Sequence, residues 1–160
     1  MESIIDAETI VPNLTIEDQN HKKIEISMKE EHKKQKEKYK SQCETYDYKT
    51  ISRYPEEYKW KKAKFTGKVM QVIEGTESLT FYRVNVTKKT YQYLDIETWD
   101  DTIYVNYFIK TSNKDIDVRV LEGDIVNIYG ELYGLESYES VMGTTITIPA
   151  INAEYIDLAE

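Results

Sequence analysis

The chain has 160 residues, 40% of them hydrophobic and 31% charged, with a net charge of −8, and at this length a single domain with one core is expected. Its one cysteine, Cys43, excludes an internal disulfide. No window approaches the ~18 apolar residues of a membrane span or shows a secretory leader, so a cytoplasmic chain is expected. The charge is uneven: residues 48–90 carry 10 Lys/Arg against 4 Asp/Glu, net +6, whereas residues 91–160 carry 3 against 14, net −11. That distribution weighs against strong, non-specific attachment to nucleic acid through phosphate contacts.

Pro12 forbids a continuous helix through the leading stretch. Thr15-Ile-Glu-Asp18 then offers a helix cap, and no Gly or Pro interrupts the chain from Glu17 to Glu44. Glu25/Lys29 and Glu30/Lys34 stand at the favourable i, i+4 spacing. Ile24, Met28, Tyr39 and Cys43 make an apolar stripe too broken for a strong coiled coil, so the helix is expected to be mostly solvated, with weak homo-oligomerisation as an alternative role. Residues 1–46 therefore read as an arm with a charged helix and residues 47–160 as the folded domain. Asp47 to Tyr58 reads as a helical turn stopped by Pro55.

Strand patterns follow at once. Ala63, Phe65, Gly67, Val69, Gln71 and Ile73 alternate with Lys62, Lys64, Thr66, Lys68 and Met70, the period-2 signature of a half-buried strand. The stretch after Gly67 is apolar on both faces, which suits a bent strand shared between two sides of a small barrel. A second strand, Leu79 to Thr87, puts Tyr82, Val84 and Val86 on one face and Phe81, Arg83 and Asn85 on the other. A third, Thr102 to Lys110, opposes Ile103, Val105 and Tyr107 to Tyr104, Asn106 and Phe108. Between them, Lys88 to Asp101 reads as a long loop with Tyr91, Tyr93 and Trp99, a candidate functional loop. After a turn at residues 121–124, Val126, Ile128, Gly130 and Leu132 face inward. Tyr138 to Ser140, Thr144 to Ile148 and Glu154 to Leu158 read as a hairpin arm and a closing strand, with Gly143 at the turn and Pro149 where a regular central ladder cannot run. The fold class expected is mainly β: a five-stranded OB-fold barrel preceded by a charged N-terminal α-helix.

The runs YKTISRYPEEYKWKKAKFTGKVMQVIE, RVLEGDIVNIYGELYG and YESVMGTTITIPAINAEYIDL resemble the OB-fold domain family of the TcdC-like negative regulator of a clostridial toxin operon. They are similar also to uncharacterised OB-fold proteins of Gram-positive bacteria and their phages. The resemblance covers residues 47–158. It implies the barrel and a regulatory, non-enzymatic binding habit, and it supplies no catalytic residue. The membrane anchor or lipoprotein signal common in such relatives is not found in these 160 residues.

The residues themselves supply little for catalysis. His21 and His32 lie ~16 Å apart along the predicted helix and cannot share a metal. With Cys43 alone and no His in the strands, Ser/His/Asp and Cys/His arrangements are lacking. Asp100-Asp101 and Asp115-x-Asp117 read as solvated turn acids, and no phosphate-binding glycine motif occurs. No catalytic residue, metal or cofactor is therefore expected. The barrel exterior remains, where Lys64 and Lys68, Phe81, Arg83 and Asn85, and Tyr104, Asn106 and Phe108 form the candidate ligand-binding set. Because the sequence is acidic overall, a protein partner acting on a regulatory module is the leading expectation. Single-stranded nucleic acid on the strand 2–3 face is the first alternative. An acidic mimic of nucleic acid that blocks a DNA- or RNA-handling protein is the second.

Overall fold

The computed structural model describes residues 15–76, 78–108 and 119–159. The expectations placed on Pro12, Lys110, Asp115 and Asp117 lie outside them. The chain divides into two units, Met1–Ser41 and Gln42–Glu160.

α1 spans Ile16–Gln42, all but its last residue in the first unit. Its start is a reciprocal cap: the Thr15 hydroxyl oxygen accepts the Asp18 N–H at 3.2 Å, and the Asp18 carboxylate accepts the Thr15 hydroxyl at 2.6 Å. Ile24 and Met28 of the expected stripe are exposed.

In the second unit, α2 spans Tyr48–Arg53. Asp47 caps it by accepting the Thr50 N–H at 3.1 Å and the Thr50 hydroxyl at 3.0 Å, and Ile51 is buried. Five strands follow: β1 Lys62–Thr76, β2 Leu79–Tyr91, β3 Ile96–Phe108, β4 Ile125–Glu139 and β5 Thr145–Leu158. They close in the order β1-β2-β3-β5-β4, with every pairing antiparallel except β3 with β5. This is the five-stranded OB barrel expected. Its interior is filled by β-branched side chains from every strand, with Val69, Val84, Ile103, Val105, Val126, Ile128 and Ile151 fully buried, each contributing about 1.5–3 kcal/mol of transfer free energy.

β1 serves two neighbours. Lys62–Lys68 pair with β4 and Lys68–Thr76 with β2. Gly67 sits at the changeover, where a Cβ would run into the Asn85 backbone and the Val84 side chain, so the bend expected there has a steric cause. Ahead of β1 the chain runs alongside it. The Glu44 N–H donates to the Lys62 carbonyl at 3.1 Å and the Lys64 N–H to the Glu44 carbonyl at 2.9 Å, and Cys43 is buried.

Three expectations are corrected. Lys88 to Asp101 is not a long loop: Lys88 pairs with Trp99, Lys89 with Thr98, Thr90 with Glu97 and Tyr91 with Ile96, leaving a tight turn at residues 92–95. Lys88–Glu97 at 3.1 Å and Lys89–Asp100 at 2.9 Å tie the ribbon together. Lys88–Tyr91, Ile96 and Glu97 are exposed on either face, so no apolar alternation announces it. The second correction concerns β5, which is a single strand through Pro149. That residue lies beside the β4 irregularity between Leu132 and Gly134 and one place before the first β3 partner, a position where a missing N–H is tolerated. Third, the β1 alternation is broken by a bulge at Met70, so Val72 and not Gln71 packs against the core.

Candidate ligand-binding face

The register of β2 and β3 decides which exterior side chains meet. Arg83 lies opposite Tyr104, Phe81 opposite Asn106, and Asn85 opposite Thr102, while β1 adds Lys68 beside Asn85 and Gln71 beside Arg83. The Phe81 and Tyr104 rings touch diagonally, with centroids 5.7 Å apart and planes tilted by 41°. Asn85 is held in place, donating to the Trp99 carbonyl at 2.8 Å and accepting the Thr102 hydroxyl at 2.6 Å. Lys68 and Arg83 have no ion-pair partner among the described residues.

One end of this face is built by residues outside the sequence-derived candidate set. Beyond the irregularity at Tyr133, the β4 arm brings Glu136 and Tyr138 to it. The Arg83 guanidinium stacks on the Tyr138 ring at 4.2 Å. Asn106 donates to the Tyr133 hydroxyl at 2.8 Å and to the Asn152 side-chain oxygen at 3.1 Å, and Tyr133 donates to Glu136 at 3.1 Å. Because Tyr133 spends its only proton on Glu136, it accepts from Asn106, which fixes the orientation of that amide. The Asn106 side-chain oxygen is then left buried without a partner among the described residues. Burial first, then the Glu136 charge, pushes the Tyr104 and Tyr133 hydroxyls above their ordinary range, so both stay protonated at neutral pH. Tyr133 stands on the outward alternation of β4 with Asn127, Tyr129 and Glu131, whereas Glu136 and Tyr138 share the phase of inward Leu132 and could have been found only by seeing that a bulge changes the phase of the arm. Their alternation alone points elsewhere.

Of the sequence-derived set, the structure brings together Lys68, Phe81, Arg83, Asn85, Tyr104 and Asn106. Phe108 lies at the far end, opposite Leu79 and exposed. Lys64 stands apart, opposite Tyr129 on the other half of β1, in a cleft of about 450 Å³. Tyr91 and Tyr93 sit at the exposed end of the β2–β3 ribbon, and Trp99 is half-buried farther down it. Among the described residues no group of three or more His, Cys, Asp or Glu could hold a metal ion, and no helix is long and apolar enough to cross a membrane.

No protein-family model and no curated protein matches the chain. Among solved structures, it is similar to the small single-stranded DNA-binding protein from Streptomyces coelicolor at 15% identity and TM-score 0.42, covering 62% of this chain and 94% of that one. It is similar to the aspartyl tRNA synthetase from Entamoeba histolytica at 13% identity and TM-score 0.47, over 75% of this chain and 22% of that one. The S. cerevisiae mitochondrial single-stranded DNA-binding protein Rim1 matches at 14% identity and TM-score 0.34, covering 62% and 94%. Strand order, and not these scores, makes the barrel an OB fold.

Proposed function

We propose that this chain is a non-enzymatic OB-barrel module that binds single-stranded nucleic acid across the β2–β3 face. The observation that carries this reading is the Phe81–Tyr104 ring pair, half-exposed on the barrel wall and flanked by Arg83 and Lys68. Rings on which bases stack, cations for the backbone and a polar cluster at one end are the groups single-strand binding uses. Among the described residues Arg83 and Lys68 are the two cations of the sequence-derived set on this face, so stacking dominates and phosphate contacts are few, which reconciles binding with a chain of net charge −8. The test is fluorescence anisotropy with labelled single-stranded DNA and RNA oligonucleotides at low salt. Tyr104→Ala is expected to weaken binding about ten- to a hundredfold, stacking being worth ~1–3 kcal/mol per base, and Arg83→Glu to abolish it. Absence of binding, or binding that Tyr104→Ala leaves intact, refutes the proposal.

A second reading is favoured by the two hairpin ends. Tyr93 and Leu94 at one, and Val141 and Met142 at the other, are large apolar side chains held out in solvent, as at protein-docking surfaces. In that reading the regulatory role implied by resemblance to the TcdC-like family acts through a protein partner. A Tyr93→Ser/Val141→Ser variant that loses a partner captured by the parent, with oligonucleotide binding unchanged, supports it.

A further inference from the structure

The second unit holds a cleft that the proposed nucleic-acid face does not use. Its volume is about 450 Å³, within the ~300–1,000 Å³ range of small-molecule sites. Its lining includes Phe65 of the core cluster together with Tyr46, Tyr48 and Tyr129. The wall at residues 45–48 is held to the barrel. The Glu44 bridge anchors it to β1, and the Tyr48 hydroxyl donates to the Thr102 carbonyl at 2.7 Å.

The polar groups of the lining are unbalanced. The Thr66 hydroxyl donates to the Asn127 side-chain oxygen at 2.5 Å, so the Asn127 oxygen is occupied and its amide protons remain available. The Lys64 ammonium has no ion pair among the described residues, and the lining contains a single carboxylate, Asp47. That carboxylate is engaged as the α2 cap, taking both Thr50 donors. What the cleft offers a ligand is therefore a cation and an amide donor beside aromatic walls. An occupant must bring an anionic acceptor for the donors and a flat ring for the walls.

We propose that this cleft is a binding site for a nucleotide-sized ligand, with an anionic phosphate held by Lys64 and Asn127 and a planar ring set against Tyr46 and Tyr129. Lys64, Tyr129, Thr66 and Asn127 lie on one face of the β1–β4 pair, Lys64 opposite Tyr129 and Thr66 opposite Asn127, with the inward pair of Phe65 and Ile128 between them. The two donors are thus two rungs apart on the same face, with Tyr129 on the Lys64 rung. The site stands on its own geometry and does not depend on single-strand binding by the β2–β3 face.

Calorimetry on the full chain tests it with three probes: adenosine 5′-monophosphate, adenosine, and inorganic phosphate. The expected result is a dissociation constant of about 1 mM or tighter for the monophosphate, with adenosine and phosphate each at least about tenfold weaker. Lys64→Glu is expected to abolish monophosphate binding. Tyr129→Leu, which keeps bulk but removes the ring, is expected to weaken it about tenfold. Both side chains lie on the barrel exterior, so unchanged circular dichroism and melting temperature establish that the variants fold. Adenosine binding as tightly as the monophosphate, no detectable monophosphate binding, or binding indifferent to Lys64→Glu overturns the proposal. Oligonucleotide anisotropy in parallel separates this site from the β2–β3 face, since either can fail while the other stands.

Discussion

Gly130→Ala tests how the barrel closes. A Cβ on Gly130 would press on the Asn152 carbonyl oxygen and come within 2.8 Å of the Asn152 carbonyl carbon and the Ala153 Cα. All three are backbone atoms of β5, so no side chain can swing away. Nor is β5 free to shift as a whole, because on its other edge Asn152 pairs with Asn106 and Ala153 with Tyr107. Ordinary contact begins near 3.4 Å, so the β4 and β5 backbones must part by roughly half an ångström or more at one rung. Overpacking of this kind costs about 1–3 kcal/mol, and the lower conformational entropy of an unfolded alanine returns about 0.5–1 kcal/mol. With two rigid strands involved we take the upper part of the range, a net loss of about 2 kcal/mol. In urea, with a slope of ~2 kcal/mol/M, the midpoint falls by about 1 M. Gly123→Ala serves as control: nothing lies within 4 Å of its Cβ, but φ is +91°, so it reports backbone strain without a clash. Gly130→Ala as stable as the parent refutes the account of a closure held by backbone contact.

Stability is expected to fall at alkaline pH. Burial raises the Cys43 thiol above its ordinary 9.0 and the Tyr48 and Tyr133 hydroxyls above their ordinary 10.0. The folded state therefore binds these protons more tightly than the unfolded chain. This stabilisation is complete below pH 9 and is lost as pH rises through the folded-state values. Thermal melts from pH 7 to 11 check it, and a melting temperature constant to pH 11 contradicts it. Asp47→Ala, which removes the α2 cap, should cost about 1 kcal/mol, measured by chemical denaturation, with no loss if the Thr50 contacts are incidental. Ile128→Ala, at a fully buried site between β1 and β5, should cost about 2–5 kcal/mol, and a loss below 1 kcal/mol would show that the barrel wall relaxes into the space. Oligonucleotide affinity should fall with salt at a logarithmic slope of roughly −1.4, the value for two phosphate contacts on a single strand. A slope several times steeper would place binding on a basic surface other than the one bordered by Lys68 and Arg83.

Legible from residue pattern alone are the helix, the inward faces of β2, β3 and β4 and of β1 as far as Val69, and Gly67 and Gly130 as inward-facing strand glycines. These rest on local rules: cap chemistry at Thr15, the helix stop at Pro55, and period-2 alternation wherever one face is dry and the other wet. Alternation is silent where that contrast vanishes or its phase slips. In the β2–β3 ribbon, Lys88–Tyr91, Ile96 and Glu97 are exposed on either face, so its pattern carries no strand signal. The bulges at Met70 and Tyr133 each re-aim the residues that follow them, exchanging Gln71 for Val72 in the core and delivering Glu136 and Tyr138 to the face occupied by Arg83 and Tyr104. Candidate residue types were legible in the sequence, but their grouping was not. Lys64 and Lys68 lie four residues apart on one strand, yet β1 changes partners between them. Only barrel closure, a set of pairings between segments distant in sequence, sends one lysine to a cleft and the other to an aromatic face.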